Sequence, residues 1–261
     1  MSVIQAIVYG IVQGIAEFLP ISSTAHLTLL PWIFGWQNPG NVFDVALHFG
    51  TAIAVIAFFL KDWVRLITAG VKNPTTPDGR LFWGLIIATI PGALAGVTLD
   101  KYMGAFSSPL LIGILLIVMG IVLYACDRFG RNTIHLEKMG IKHSLLIGIA
   151  QVLAIIPGVS RSGITMSVGR AVGIERESIA KFTFLLSTPI ILGDALYHAK
   201  DMAHVNIDVL PFVVAVVTAA VVGMLSIKFL LNYLKTKSFF IFTVYRFVFG
   251  ILIIALFFIR H

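Results

Sequence analysis

The chain has 261 residues and a net charge of +7; 58% of its residues are hydrophobic and 12% are charged, about half the charged share of a typical soluble domain. So much apolar side chain excludes a soluble globule of this size and a disordered chain, and the single cysteine, Cys126, excludes an internal disulfide and a cysteine-based metal site. Because the basic residues are scattered through short loops between apolar stretches, they favour membrane orientation over nucleic-acid binding, and the sequence predicts an all-α integral membrane protein.

Six apolar stretches are long enough to cross a bilayer as single helices. At about 1.5 Å of rise per residue, stretches of this length cover about 25–35 Å, close to the thickness of the hydrocarbon layer. In chain order they cover residues 42–60, 82–99, 109–125, 181–197, 209–231 and 239–259. We therefore expect six transmembrane helices. The N-terminal stretch has no basic region, so we do not expect it to be a cleaved signal peptide.

Two further apolar regions, 3–34 and 144–171, are interrupted in the middle. The first is broken by the sequence LPISST (19–24) and the second by PGVSRSG (157–163). Each flank is shorter than the about 20 residues that a spanning helix needs. Irregular backbone at membrane depth is tolerated only where it is buried in protein or lines a cavity. We therefore expect two re-entrant, broken helical hairpins.

The two interrupted regions resemble each other. When residues 10–24 are aligned with 148–162, five of the fifteen positions are identical. Each region is followed by three predicted spans, an odd number, so the second half must enter the membrane upside down relative to the first. The chain is thus predicted to be a single membrane domain, 1–261, built from inverted repeats over about 1–125 and 140–261.

The distribution of basic residues predicts the orientation. Of the 19 lysines and arginines, 14 fall on the side opposite the N-terminus and two lie within membrane segments. The three on the N-terminal side are Lys101, Lys200 and Arg260. Because cytoplasmic loops carry the excess of Lys and Arg, both termini and the 100–108 loop are predicted to face outside, and the 61–80 and 126–143 loops to face the cytoplasm.

The first interrupted region carries the polar groups of a candidate catalytic site. Gln13 and Glu17 lie one turn apart on one helix face, and a carboxylate inside an apolar segment marks function by default. Three hydroxyls and an imidazole follow within ten residues, from Ser22, Ser23, Thr24 and His26. A structural interpretation has Gln13 and Glu17 hydrogen bonding between helices and Ser22 capping a helix. The density of such groups favours function, with Glu17 and His26 facing a shared cavity.

The second interrupted region predicts an anion-binding site. It carries Ser160, Arg161, Ser162 and Thr165, with Gly158 and Gly163 beside them. The planar guanidinium suits phosphate oxygens, and a glycine-rich turn lets backbone N–H groups approach a ligand closely. In each hairpin the returning half-helix starts at the break, so its N-terminus, which carries a partial positive charge, points into the membrane. The two N-termini are therefore expected to converge on one point. An anion site with acid–base groups beside it predicts phosphoryl chemistry.

Two motifs carry a resemblance to a known family. QGIAEFLPISSTAH (13–26) fits [E/Q]-x-x-x-E-F-x-P-x-S-S-T-x-H, and PGVSRSGIT (157–165) fits P-G-x-S-R-S-x-x-T. With FDVALHFGT, FLLSTP and YRF, they resemble the undecaprenyl-diphosphate phosphatase family of the bacitracin-resistance (BacA/UppP) type over the whole chain. Members hydrolyse the C55 polyprenyl diphosphate to the monophosphate carrier that is used in cell-wall synthesis.

The resemblance implies roles for individual residues. Glu17, Ser23 and His26 would be catalytic, with Gln13 in support. The phosphate-binding residues would be Ser160, Arg161, Ser162 and Thr165, joined by the hydroxyls of Ser22 and Thr24. Members are usually helped by a divalent cation, so Mg²⁺ or Ca²⁺ is implied, with Glu17 and Gln13 as candidate ligands. The location would be the bacterial plasma (inner) membrane, with the active site reached from the outer face.

Several alternatives stay open at the level of sequence. Ser23 attacks with help from Glu17 or His26, or His26 is itself the nucleophile or the acid for the leaving group. The rival function is a transporter or flippase for an anionic polyprenyl phosphate lipid, because inverted repeats with broken helices are typical of transporters. A carrier needs only the anion site, so a carboxylate and an imidazole beside it favour the enzyme. A homodimer is compatible with either function.

Three further polar residues in apolar segments are assigned structural roles. Asp44 and His48 are spaced i, i+4 and are predicted to pair near the outer end of their helix; the family resemblance predicts glutamine at position 48. Arg246 lies about two turns from the cytoplasmic end of the last span, within snorkelling reach of the interface, so a structural or lipid-contact role is expected.

Overall fold

A computed structural model describes residues 1–99, 102, 104, 106–199 and 208–260, apart from the side chains of residues 41, 42 and 197–199. Within this part of the chain there are ten α-helices and no strand, which confirms the predicted all-α membrane protein. The helices are α1 (Val3–Ala16), α2 (Ser23–Phe34), α3 (Asn41–Lys72), α4 (Pro77–Leu99), α5 (Pro109–Phe129), α6 (Ile141–Ala150), α7 (Arg161–Ala171), α8 (Arg176–Ala199), α9 (Val209–Leu234) and α10 (Phe240–Arg260). Lys101, Lys200 and part of the predicted 100–108 loop lie outside the described residues.

Six of these helices are long and apolar enough to cross a membrane, namely α3, α4, α5, α8, α9 and α10. They confirm the six predicted spans. The largest difference is in α3, which was predicted to end at residue 60 and continues to Lys72, with a kink at Phe59. The charged residues after Leu60 end the apolar stretch but do not break a helix. The helix stops at Asn73 because the residue before a proline disfavours the α conformation.

The remaining four helices form the two predicted broken hairpins. Residues 17–22 separate α1 from α2, whereas a 3-10 turn (Gln151–Ile155) and an irregular segment separate α6 from α7. Both returning helices begin at a serine N-cap, Ser22 for α2 and Ser160 for α7. Each serine Oγ accepts a hydrogen bond from the backbone N–H three residues further on, which satisfies one free donor of the first turn.

Each hairpin packs against spans from the other half of the chain. The entering helix α1 lies on α9, and α6 lies on α4. Glycines permit this close approach, because a Cβ atom at Gly10 would lie 2.7 Å from Thr218 Cβ, and one at Gly148 would lie 2.6 Å from Ala88 Cα. The spans α3 and α8 pack together, as do α5 and α10. The two breaks are therefore enclosed by the bundle.

A buried ion cluster fixes the C-terminal end of α7. The Asp127 carboxylate accepts hydrogen bonds from Arg170 Nε at 2.9 Å, Arg176 Nε at 2.7 Å and the Phe239 N–H at 3.1 Å. Arg170 is 1% exposed and also donates to backbone carbonyls of the α5–α6 connection. The cluster ties α5, α7, α8 and α10 together at the end of α7 that lies away from Arg161.

Candidate active site

Both helix starts have unusual backbone geometry. Among the described residues, Ser22 (φ 77°) and Ser160 (φ 76°) are the two non-glycine positions with positive φ. Such a conformation costs about 1–3 kcal/mol and persists only where the surroundings enforce it, most often at functional sites. The two serines occupy equivalent positions in the aligned interrupted regions. The strain therefore marks the same point in both hairpins.

Direct hydrogen bonds hold the two breaks against each other. The Gly158 N–H donates to Ser22 Oγ at 3.3 Å, so the N-cap of the first hairpin accepts from the second. In the opposite direction, Ser162 Oγ donates to the Leu19 carbonyl at 3.0 Å. These bonds bring the N-terminus of α2 to that of α7, which confirms the predicted convergence of two positive helix ends.

A small enclosed cavity lies where the two helix starts meet. Its lining comes from both hairpins and from α3: Ala16, Glu17, Ser23, Thr24, His48, Ala154, Ser160, Arg161 and Ser162. The first two N–H groups of α2 and of α7 belong to four of these residues, and helix geometry leaves such groups without an intrahelical partner. The cavity volume is about 30 Å³, room for about one water molecule. Hydroxyls, backbone donors and a guanidinium thus surround one point.

Glu17 is the centre of the hydrogen-bond network around the cavity. Its Oε2 accepts from Ser23 Oγ at 2.7 Å and from Gln13 Nε2 at 3.2 Å. Its Oε1 accepts from Arg161 Nη1 at 3.3 Å, across the gap between the hairpins. The carboxylate therefore contacts a candidate nucleophile and the candidate phosphate-binding cation at once.

His48 makes the predicted contact with Asp44 and also lies in this site, where the prediction did not place it. Its Nδ1 hydrogen bonds to the backbone carbonyl of Asp44 at 2.8 Å, which leaves Nε2 directed toward Glu17 Oε2 at 3.9 Å. The imidazole lies in the cavity lining. The i, i+4 spacing predicted the contact with Asp44, but it gave no signal for a partner on another helix.

His26 lies outside the cavity lining, contrary to the expectation that it faces a shared cavity with Glu17. Its Nδ1 donates to the Ser22 carbonyl at 2.7 Å, and its Nε2 is 2.6 Å from the Tyr245 hydroxyl. The ring stacks on Phe249, with ring centroids 4.6 Å apart and planes inclined by 8°. Because a carbonyl only accepts, Nδ1 carries a proton, and Nε2 shares a hydrogen bond with the Tyr245 hydroxyl.

The other predicted groups divide between the cavity and its support. Ser23, Thr24, Ser160, Arg161 and Ser162 line the cavity with Glu17, whereas Gln13, Ser22 and Thr165 lie behind it. The Thr165 hydroxyl donates to the Arg161 carbonyl at 2.8 Å and accepts from Thr183 Oγ1 at 3.1 Å. In this structure it therefore stabilises the first turn of α7 and does not reach the cavity.

Arg246 does not snorkel, so the predicted lipid contact is wrong and the structural alternative fits its contacts. Its side chain is fully buried, and the guanidinium donates to carbonyls of both breaks, including Pro20 at 3.1 Å and Gly158 at 2.6 Å. A position two turns from a helix end predicted access to the interface, but α10 packs on α5 and the second hairpin covers this face. The sequence did contain one indication that Arg246 belongs to the site, because a charged residue within a span marks a functional candidate.

The residues do not form a protein cage for a divalent cation. No cluster of three or more His, Cys, Asp or Glu side chains suited to a metal occurs in the described part of the chain. Gln13 Oε1 is buried without a hydrogen-bond partner, but the nearby carboxylate already accepts from Arg161. Ca²⁺ takes six to eight oxygen ligands, whereas Mg²⁺ is often held by one or two carboxylates together with substrate phosphates. These residues therefore do not fit a resident ion.

The fold and the site define a multi-pass membrane protein in which two re-entrant hairpins place a carboxylate, hydroxyls and an arginine at two helix N-termini. Comparison with known proteins agrees with this description. The family model of the bacitracin resistance protein BacA matches residues 6–252, and the chain belongs to this family. It is 52% identical to a Moorella thermoacetica protein over 100% of both chains, and 51% identical to one from Pelotomaculum thermopropionicum over 98% of this chain and 97% of that one. Both relatives are named undecaprenyl-diphosphatase.

Proposed function

We propose that the protein is a membrane phosphatase that converts undecaprenyl diphosphate and water to undecaprenyl phosphate and inorganic phosphate. This reaction recycles the cell-wall lipid carrier and accounts for bacitracin resistance. The observation that carries the proposal is the contact of Ser23 Oγ with the Glu17 carboxylate, 2.7 Å, inside a cavity that also holds Arg161 and two helix N-termini. One chain supplies every group of this site.

Substrate binding begins with an exchange of partners at Arg161. The cavity is narrow, about 30 Å³, and the guanidinium that would bind a phosphate is paired with Glu17. A diphosphate oxygen is a stronger bidentate partner for the guanidinium than one carboxylate oxygen at 3.3 Å. When the terminal phosphate takes Arg161, the cavity opens and Glu17 is released from its cation. The N–H groups at the two helix starts bind the remaining phosphate oxygens.

The released carboxylate activates Ser23. Ser23 Oγ attacks the terminal phosphorus, its proton passes to Glu17, and undecaprenyl phosphate leaves. Glu17 passes that proton to the departing undecaprenyl phosphate. Water then attacks the phosphoserine and gives its proton to Glu17, which returns it to Ser23 Oγ as the Oγ–P bond breaks and inorganic phosphate is released. Arg161 and the helix N-termini stabilise the charge on the transferring phosphoryl group. His26 acts on the leaving oxygen only if its bond to Tyr245 first opens; until then it supports the Ser22 N-cap.

The second candidate function is a carrier for an anionic polyprenyl phosphate lipid. The packing of the two halves favours it: the entering helix of each half lies on a span of the other half, α1 on α9 and α6 on α4. Inverted repeats that pack in this way are typical of transporters. This arrangement supports the inverted repeat that the sequence predicts. A carrier has no use for a carboxylate hydrogen bonded to a serine at the anion site, so the enzyme is the better account.

Purified protein in detergent distinguishes these functions, because transport is impossible there. We expect release of inorganic phosphate from undecaprenyl diphosphate, and we expect Ser23→Ala to lower that release by ~10² or more. A Thr98→Ala variant, which removes a hydroxyl far from the site on α4, is the matched control. Wild-type protein that binds the lipid but releases no phosphate would favour the carrier.

A divalent cation would enter with the substrate, with the diphosphate as its main ligand and Glu17 as one protein ligand, and would neutralise charge on the phosphates. A chelator should therefore reduce phosphate release, and added Mg²⁺ or Ca²⁺ should restore it. The Tm of the substrate-free protein should be unchanged by the chelator, because binding of an ion to the folded state alone would raise it. A clear fall in Tm on chelation would contradict the absence of a resident ion.

The proposed location is the bacterial plasma membrane, with both termini and the mouth of the site outside. In a Cys126→Ser background, Ser108→Cys should react with a membrane-impermeant thiol reagent on intact cells. His135→Cys, which lies in the predicted cytoplasmic connection between α5 and α6, should react only after the cells are opened. Labelling of position 135 from outside would contradict the orientation.

A further inference from the structure

The guanidinium of Arg246 makes an unusual set of contacts. It is 0% exposed, and its donors reach only backbone carbonyls. The accepting oxygens are those of Pro20 (3.1 Å), Gly158 (2.6 Å), Val159 (3.1 Å) and Leu116 (3.2 Å). One acceptor lies in the first break, two lie in the second and one lies on α5. A single side chain from α10 thus joins both hairpins.

The position of this guanidinium is set by the first turn of α7. A Cβ atom at Gly163 would lie 3.0 Å from Arg246 Nη1 and 3.1 Å from Ser160 Cβ. The guanidinium therefore lies directly behind the N-cap that lines the cavity, in close contact with the space that a side chain at position 163 would take. The planar fork reaches several carbonyls at fixed angles, which the single ammonium of a lysine does not reproduce.

The charge of Arg246 has no acidic partner. None of the ion pairs formed by the described residues includes it, whereas Arg161 is paired with Glu17 and Arg170 with Asp127. A buried charge is costly unless it is paired. The cavity beside it is the proposed place of a diphosphate, so the missing counter-charge arrives with the substrate.

We propose that Arg246 is a positioning residue for the hydrolysis, an inference that rests on the proposed function. Its planar guanidinium, hydrogen bonded to both interrupted segments, sets the distance between the segment that carries Ser23 and the segment that carries Arg161. Its unpaired positive charge, just behind the N-terminus of α7, adds to the affinity for the diphosphate. The two contributions are separable, because lysine keeps the charge and loses the fork, whereas glutamine loses both.

The test compares Arg246→Lys and Arg246→Gln with wild type, using protein purified in detergent and undecaprenyl diphosphate as substrate. Misplacement of the reacting groups by about 1 Å costs ~10² in rate, so both variants should lose about that much in kcat. KM should rise roughly tenfold or more in Arg246→Gln and stay near the wild-type value in Arg246→Lys, because only the glutamine variant loses the field of the charge.

Arg170→Lys is the matched control, since Arg170 is equally buried and also donates to carbonyls, but at the far end of α7. It should lower Tm and leave kcat and KM per folded molecule unchanged. Normal kcat in folded Arg246→Lys and Arg246→Gln would show a purely structural role and overturn the proposal. Equal KM values in the two variants would overturn its electrostatic part.

Two further measurements keep the inference testable. If both Arg246 variants fail to fold, Gly163→Ala is the alternative, because it retains the arginine and displaces it or Ser160 by a few tenths of an ångström. We expect kcat to fall with KM unchanged, and a wild-type kcat would overturn the proposal.

If wild-type protein releases no phosphate, the proposed function fails. Affinity for a methylene-diphosphonate analogue of the lipid then tests Arg246 alone, with weaker binding expected for Arg246→Gln and unchanged binding contradicting it.

Discussion

Glu17→Gln should lower kcat for undecaprenyl diphosphate by ~10² or more, because the amide cannot take the proton from Ser23 Oγ. Affinity for a non-hydrolysable methylene-diphosphonate analogue should be retained or increased. The reason is that Arg161 no longer has to leave an ion pair with Glu17 before it binds phosphate. The measurements are turnover by phosphate release and affinity by titration of the analogue, both on purified variants.

Asp127→Asn is the matched control for this substitution. Asp127 is a similarly buried carboxylate paired with arginines, but it lies at the other end of α7. Its loss should cost about 3–5 kcal/mol of stability and leave kcat per folded molecule near the wild-type value. If Glu17→Gln lost binding and turnover in equal proportion, Glu17 would be a binding or structural residue, and its role as the base would be wrong.

Arg161→Lys should lose most of the activity while the protein stays folded. Lysine keeps the charge, but a single ammonium cannot bind two phosphate oxygens with the fixed geometry of the guanidinium. Arg161→Ala should in addition weaken binding of the methylene-diphosphonate analogue, which is the opposite of the expected behaviour of Glu17→Gln. The readouts are kcat, KM and the affinity for the analogue.

Arg176→Lys serves as the control for Arg161→Lys. The two arginines have similar exposure, 30% and 26% of the side chain, and each contacts one carboxylate. Arg176 lies at the far end of α7 and should tolerate lysine with near-normal turnover. Near-normal turnover of Arg161→Lys would show that a point charge is enough and would contradict the bidentate phosphate contact.

Most of the architecture could be predicted because hydropathy and helix breakers act locally. The spans and the two interruptions follow from apolar runs and from the proline and serine sequences that end them. The extension of α3 to Lys72 could not be predicted in the same way, since charged residues mark the edge of an apolar run without ending a helix. The convergence of Ser22 and Ser160 was predicted from the direction of the returning helices.

The site was predicted as far as its members are neighbours in sequence. Glu17, Ser23 and Arg161 lie in two compact motifs, and the structure brings them together. The place of His48 and Arg246 in the site was not predicted, because their decisive contacts are with residues far away in the chain: Glu17 is 31 positions from His48, and Pro20 is 226 from Arg246. A charge inside an apolar segment, the signal that marks Glu17 as functional, is present at Arg246 as well.

A crystal structure of the protein with the methylene-diphosphonate analogue of undecaprenyl diphosphate would show directly how the diphosphate binds. We expect the terminal phosphonate to lie between the N-termini of α2 and α7, bound by Arg161 and within reach of Ser23 Oγ, with the contact between Arg161 and Glu17 broken. A phosphonate bound elsewhere, or one bound while Arg161 still pairs with Glu17, would contradict the central claim.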